Sequence, residues 1–145
     1  MKVCVVDASV AAKWLLPATG EDFVSEANRV LSLHVAHEWQ ILAPALIWAE
    51  IGNVLWKAVR CKRTSQRTAA EALEQLRDLE LKIIPVENLM APALEIAAAY
   101  DRSFYDSLYV ALAVREKGDL ITADERLANA LAARFPVRWL GAFHE

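Results

Sequence analysis

The 145 residues, 56% of them hydrophobic and 24% charged, suffice for one packed domain with a sizeable core and exclude a disordered chain. A formal net charge of −3 excludes a global basic field that would draw in nucleic acid, so any such contact has to come from a local patch. Cys4 and Cys61 form no Cys-x-x-Cys pair, the first apolar run ends in Asp7 too soon for a signal peptide, and no stretch reaches the length of a membrane span; the expectation is a soluble, cytoplasmic protein.

Lys2–Val6 is continuous and β-branched, the pattern of a strand buried on both faces, with Asp7 at its carboxyl end. Cys4 within it reads as a small buried hydrophobe. Ser9 is suited to cap a helix over 10–16, which Pro17 closes. After a loop at 18–20, the apolar spacing predicts an amphipathic helix over 21–35 and a short strand over 40–43. Pro44, favoured in a first turn, opens a long helix through Glu50 to about residue 59. Thr64 or Ser65 caps a helix over 66–81. A third strand follows at 82–86 and an Ala-rich helix at 89–100. Ser103 caps a helix over 105–117 that Gly118 stops. Asp119–Thr122 is a fourth strand, 125–134 a helix, and 137–140 a fifth strand. This alternation predicts one α/β domain over 1–145, with a mostly parallel five-stranded sheet covered on both faces.

Four acids stand out against this frame. Asp7 follows strand one, Glu50 lies inside the apolar segment 45–51, Asp106 opens the apolar run 107–113, and Asp124 falls just past strand four. A carboxylate in an apolar context costs folding energy unless something pairs it. No Lys or Arg stands beside each, so the natural partner is a divalent cation that prefers oxygen. Open parallel sheets place their sites outside the carboxyl ends of the strands. If strands one and four are neighbours, Asp7 and Asp124 meet there. Asp106 joins them from the first turn of the preceding helix. Helical spacing puts Glu50 on a face with Leu46, Ile47 and Val54 that is predicted to point at the sheet. Two such charges ~4 Å apart repel by ~4 kcal/mol at a near-surface dielectric, so either carboxyl pKa values rise or a cation binds. Mg²⁺ and Mn²⁺ suit carboxylate ligands and bring substrate phosphates with them, and the chemistry implied is phosphodiester hydrolysis. Two of the acids also have an ordinary reading when taken alone: Ser103-x-x-Asp106 fits a capping box and Asp124 fits a helix N-cap.

Four segments carry a resemblance that spans essentially the whole chain. They are Val5-Val6-Asp7-Ala8-Ser9, Pro44 leading to Glu50-Ile51-Gly52-Asn53-Val54-Leu55, the run from Tyr105-Asp106-Ser107 to Leu112-Ala113, and Leu120-Ile121-Thr122-Ala123-Asp124. In this order and spacing they resemble PIN domains, and most of all the VapC-type toxins of toxin–antitoxin pairs. The resemblance implies a three-layer α/β/α sandwich and a Mg²⁺- or Mn²⁺-dependent endoribonuclease acting on RNA. It implies that Asp7, Glu50, Asp106 and Asp124 form the acidic quartet, with Ser9 and Thr122 as small hydroxyls beside it. It also implies a homodimer and a small antitoxin that occludes the active site.

The remaining features carry less. His34 and His37 share a helical face by spacing but do not make the His-Glu-x-x-His zinc pattern, and they read as a solvated polar face. Trp14, Trp48 and Trp56 fall in amphipathic helices, where packing is the default; Trp14 is also placed to stack on a base, and the face of Trp48 and Trp56 is a candidate antitoxin or dimer surface. The cluster Lys57, Arg60, Lys62, Arg63, Arg67 fits either phosphate contacts or a solvated helix end; Arg60, Lys62 and Arg63 are its candidate RNA contacts. There is no Gly-rich phosphate loop. The alternative function is a non-catalytic, metal-binding protein-interaction module of the same fold.

Overall fold

β1 (Lys2–Val6), β2 (Trp39–Pro44), β3 (Lys82–Ile84), β4 (Asp119–Thr122) and β5 (Val137–Trp139) form a wholly parallel sheet in the order β3-β2-β1-β4-β5. This is seen in a computed structural model that describes residues 1–144. Parallel neighbours need crossovers, and right-handed crossovers place helices on opposite faces when the winding direction reverses. From β1 the chain winds outward through α1 (Ala8–Leu15) and α2 (Val24–Val35) to β2, then through α3 (Leu46–Arg60) and α4 (Gln66–Asp78) to β3. It then crosses back through α5 (Met90–Tyr100) and α6 (Phe104–Glu116) to β4, and winds the other way through α7 (Glu125–Leu131) to β5.

Two cores result, one on each side of the sheet. Cys4, Val6, Ile41, Ala43 and Ile121 pack with α1–α4, and the alternate positions Val5, Leu42, Ile84, Leu120 and Val137 pack with α5–α7. Period-two alternation on strands buried on both faces therefore builds the three-layer sandwich. α6 is buried continuously from Ser107 to Ala113, as befits a helix clamped between the sheet and α5.

Several boundaries differ from the sequence expectation, each for a local reason. Asp7 and not Ser9 caps α1, because its carboxylate accepts the Ser9 and Val10 N–H groups. Pro44 closes β2, in register with Ile84, and the Ala45 N–H donates to the Ile84 carbonyl (2.9 Å), so α3 starts only at Leu46. α2 begins at Val24 because Phe23 is left-handed (φ 58°), its ring packed edge-on against Trp139 with centroids 5.3 Å apart. α4 stops at Asp78 and α7 at Leu131, β3 ends at Ile84, and β5 gives way at Leu140 to a 3-10 turn. His34 and His37 do not form a solvated face. His34 bridges two elements: Nδ1 accepts the Ile41 N–H at 3.1 Å, so Nε2 carries the hydrogen and donates to the Leu79 carbonyl at 2.8 Å. His37 lies beyond the helix at φ 60°.

Gly118 has a different role from the expected helix stop. Lys117 makes the left-handed turn (φ 54°) that ends α6. A side-chain carbon on Gly118 would sit 2.5 Å from the Val3 carbonyl oxygen, a backbone atom of β1. Gly118→Ala is therefore expected to cost about 1–3 kcal/mol, the range for overpacking. An unchanged urea midpoint for Gly118→Ala would contradict this close approach.

Candidate active site

The winding direction reverses between β1 and β4, and the crevice of an open parallel sheet lies at such a point, outside the strands' carboxyl ends. Asp7 is the residue there, 8% exposed. Its Oδ1 accepts the Ser9 N–H (3.1 Å), the Ser9 hydroxyl (2.5 Å) and the Val10 N–H (3.3 Å), and its Oδ2 accepts the Thr122 hydroxyl (2.5 Å). Ser9 Oγ in turn accepts the Ala123 N–H (2.9 Å), and Thr122 Oγ1 accepts the Asp124 N–H (3.1 Å). The two hydroxyls thus stitch the end of β1 to the end of β4. Despite these donors, burial pushes the Asp7 carboxyl up to about 6, and the charge of Asp106 adds to the rise.

The other three acids belong to α3, α6 and the cap of α7. Asp106 lies in the first turn of α6, where Ser103 caps the helix by accepting the Asp106 N–H at 3.0 Å. Asp124 caps α7, its Oδ1 accepting the N–H groups of Arg126 (3.0 Å) and Leu127 (3.2 Å). The N-cap roles of Ser103 and Asp124 are therefore real. Glu50 stands on α3 beside the buried stripe Ile47, Ile51, Leu55 and Ala58 and is itself half-buried. Its Oε1 accepts the hydroxyl of Tyr109 at 2.5 Å.

Electrostatics ties these groups together. Burial raises the Glu50 carboxyl, and the charge of Asp106 raises it further, against the opposing bond from Tyr109. Burial also raises Asp106, with Asp124 adding to the rise, while Ser103 and Arg102 pull the other way. Asp106 thus bears on both Asp7 and Glu50. Among the described residues no salt bridge joins any of the four to a lysine or arginine; Lys13 and Arg63 pair with Glu21 at 3.4 and 3.1 Å. The cluster is loose: among the described residues no three carboxylate, imidazole or thiolate groups form a ready-made metal cage.

The remaining candidates lie outside this pocket. Trp14 is half-buried in the α1–α2 interface, its indole N–H donating to the Ala27 carbonyl at 2.8 Å. The Arg60 guanidinium lies over the Trp56 ring, 4.7 Å from its centroid, and Lys62 is exposed at φ 61°. Sequence reasoning misses Tyr109, which looks like one more member of the apolar run 107–113. The available signal is Asp106-x-x-Tyr109, a spacing that puts a buried hydroxyl on the helix face of an acid.

A profile of the PIN domain family matches residues 4–131. The chain belongs to the PIN domain family. This PIN domain is 33% identical to Ribonuclease VapC3 of Pyrobaculum aerophilum over 131 residues, covering 89% of the chain and 95% of the relative. Among solved structures, it is similar to VapC20 of Mycobacterium tuberculosis, described as a sarcin–ricin-loop-cleaving toxin, with a TM-score of 0.63, 20% identity and coverage of 91% and 95%. It is also similar to a toxin–antitoxin complex from Klebsiella pneumoniae, with a TM-score of 0.58, 20% identity and coverage of 93% and 95%. At these identities the two structures speak for the fold.

Proposed function

We propose that this PIN domain is a divalent-metal-dependent endoribonuclease, the toxin of a toxin–antitoxin pair. The observation that carries the reading is a buried carboxylate, Asp7, at the switch point of the sheet, under the charge of Asp106, which also acts on Glu50, with no cationic side chain among the described residues in a salt bridge to any of the four acids. Its relative's name, a VapC ribonuclease, agrees with it.

The residues present fit such an ion. The donors are carboxylate and hydroxyl oxygens only, with no thiolate, and the imidazole of His34 is engaged between Ile41 and Leu79. This set suits Mg²⁺ or Mn²⁺. Asp7, Glu50, Asp106 and Asp124 would hold it. Bound there, it would supply a Lewis acid for the phosphodiester and lower the pKa of a water. The chain's own part is positioning. Ser9, Thr122 and the first N–H groups of α1 hold Asp7 in one orientation, and Tyr109 restrains Glu50. Asp7 contributes most to cation affinity as the acid most rigidly held. The basic segment of Arg60, Lys62 and Arg63 is a candidate track for the RNA backbone. Trp48 and Trp56, 36% and 54% exposed on α3, are candidate contacts for the antitoxin or a second copy of the chain.

The test is incubation of a pooled cellular RNA preparation with the purified, antitoxin-free protein. Discrete fragments are expected with Mg²⁺ or Mn²⁺ and none with chelator. Cation-dependent stabilisation without RNA turnover would instead identify a non-catalytic metal-binding module.

A further inference from the structure

We propose that Tyr109 is a positioning residue for Glu50: its phenol fixes one carboxylate oxygen so that the other is presented to the acidic pocket as a cation ligand. This rests on the function proposed above.

The four acids are not held alike. Asp7 and Asp124 are N-caps, their carboxylates gripped by backbone N–H groups at the starts of α1 and α7, and Asp106 sits in the first turn of α6. Glu50 lies within α3, where the backbone N–H groups are spent inside the helix, and its longer side chain has more torsions to fix. Its one donor among the described residues is the Tyr109 hydroxyl, at 2.5 Å. Tyr109 is 2% exposed, three residues after Asp106, with its ring packed in the core between α6 and the sheet. For packing alone Phe would serve there, because a buried hydroxyl costs free energy unless it is bonded. The Glu50 carboxylate is the acceptor that justifies it. A ring with two torsions, both locked by packing, is a rigid mount. It occupies Glu50 Oε1 and leaves Oε2 without a donor among the described residues.

The experiment is Mn²⁺ binding to the purified full-length chain, read by electron paramagnetic resonance of free Mn²⁺, for wild type, Tyr109→Phe, Glu50→Gln and the double variant. Tyr109→Phe is expected to weaken binding about tenfold, the lower end of the loss seen when an orienting partner of a ligand is removed. Its melting temperature in chelator should stay within a few degrees of wild type. In the double variant the loss should be no greater than in Glu50→Gln. Unchanged Mn²⁺ affinity in Tyr109→Phe, or losses that add in the double variant, would overturn the inference while leaving the metal site standing. Absence of Mn²⁺ binding in wild type would overturn both. A second measurement needs no change at Tyr109. In a chain labelled with 3-fluorotyrosine, Mg²⁺ should shift the fluorine resonance that both Tyr100→Phe and Tyr105→Phe retain, and should not shift it in Glu50→Gln. A resonance unmoved in the otherwise unaltered chain would also overturn the inference.

Discussion

Asp7→Asn is expected to abolish RNA cleavage and, with divalent cations removed, to make the protein more stable at neutral pH. The loss of activity follows from the proposed function, in which Asp7 is the most rigidly held ligand. The gain in stability follows from burial. The Asp7 carboxyl is raised from 3.8 to about 6 in the fold, chiefly by desolvation. Below pH ~4 it is protonated folded or unfolded and costs nothing. As pH rises from ~4 to ~6, the unfolded chain releases this proton while the folded chain keeps it, so stability falls; above ~6 the penalty is constant. A shift of this size corresponds to roughly 3 kcal/mol at pH 7. An asparagine at this position removes that penalty. Its amide oxygen can still cap α1, and its NH₂ can donate to Thr122 Oγ1, whose own hydrogen can turn to Ser9 Oγ 3.4 Å away. Urea midpoints in chelator, taken from pH 4 to 7, should therefore converge at the acid end and separate at the neutral end. Parallel curves for the two proteins would refute the buried-charge account, and an active Asp7→Asn protein would remove Asp7 from the site.

Thr122→Val is expected to destabilise the protein by about 3 kcal/mol and to reduce cleavage about 100-fold. Thr122 is fully buried at the end of β4, and its hydroxyl works twice, donating to Asp7 Oδ2 and accepting the Asp124 N–H. Valine keeps the β-branched shape the strand prefers but deletes a charge-assisted bond and strands a backbone donor. Thr122→Ser should recover most of both losses, because the hydroxyl and not the methyl is what the site uses. The comparison needs equilibrium urea unfolding and RNA cleavage under one buffer. Equal stability of Thr122→Val and wild type would show that the hydroxyl pair does not join the two strand ends.

The behaviour of both variants turns on contacts between residues more than a hundred positions apart, and that separation marks how far the sequence alone could be read. The continuous apolar strands, the helices between them and the parallel sheet were legible because burial on both faces imposes an unbroken run of Val, Ile and Leu. The four acids were legible for the converse reason, since a carboxylate in such surroundings demands an explanation. Ser9 and Thr122 were marked by resemblance, and their side chains do touch Asp7.

Local signals misled where a tertiary contact overrode them. Pro44 looked like a helix opener until pairing with β3 kept it in the sheet, Phe23 is drawn out of α2 by Trp139, and His34 is claimed by Ile41 and Leu79. Tyr109 was hidden because a tyrosine in an apolar run shows only its ring; its hydroxyl acquires meaning when α3 and α6 bring Glu50 within 2.5 Å. By itself the sequence determined the sheet and most of the elements and singled out the acids as out of place, because hydrophobic periodicity and the cost of a buried charge are properties of short segments. Only the tertiary structure decided which hydroxyls reach Asp7 and Glu50. Hydrogen bonds and Coulomb forces act over a few ångströms, and those distances exist only once the strands are in register.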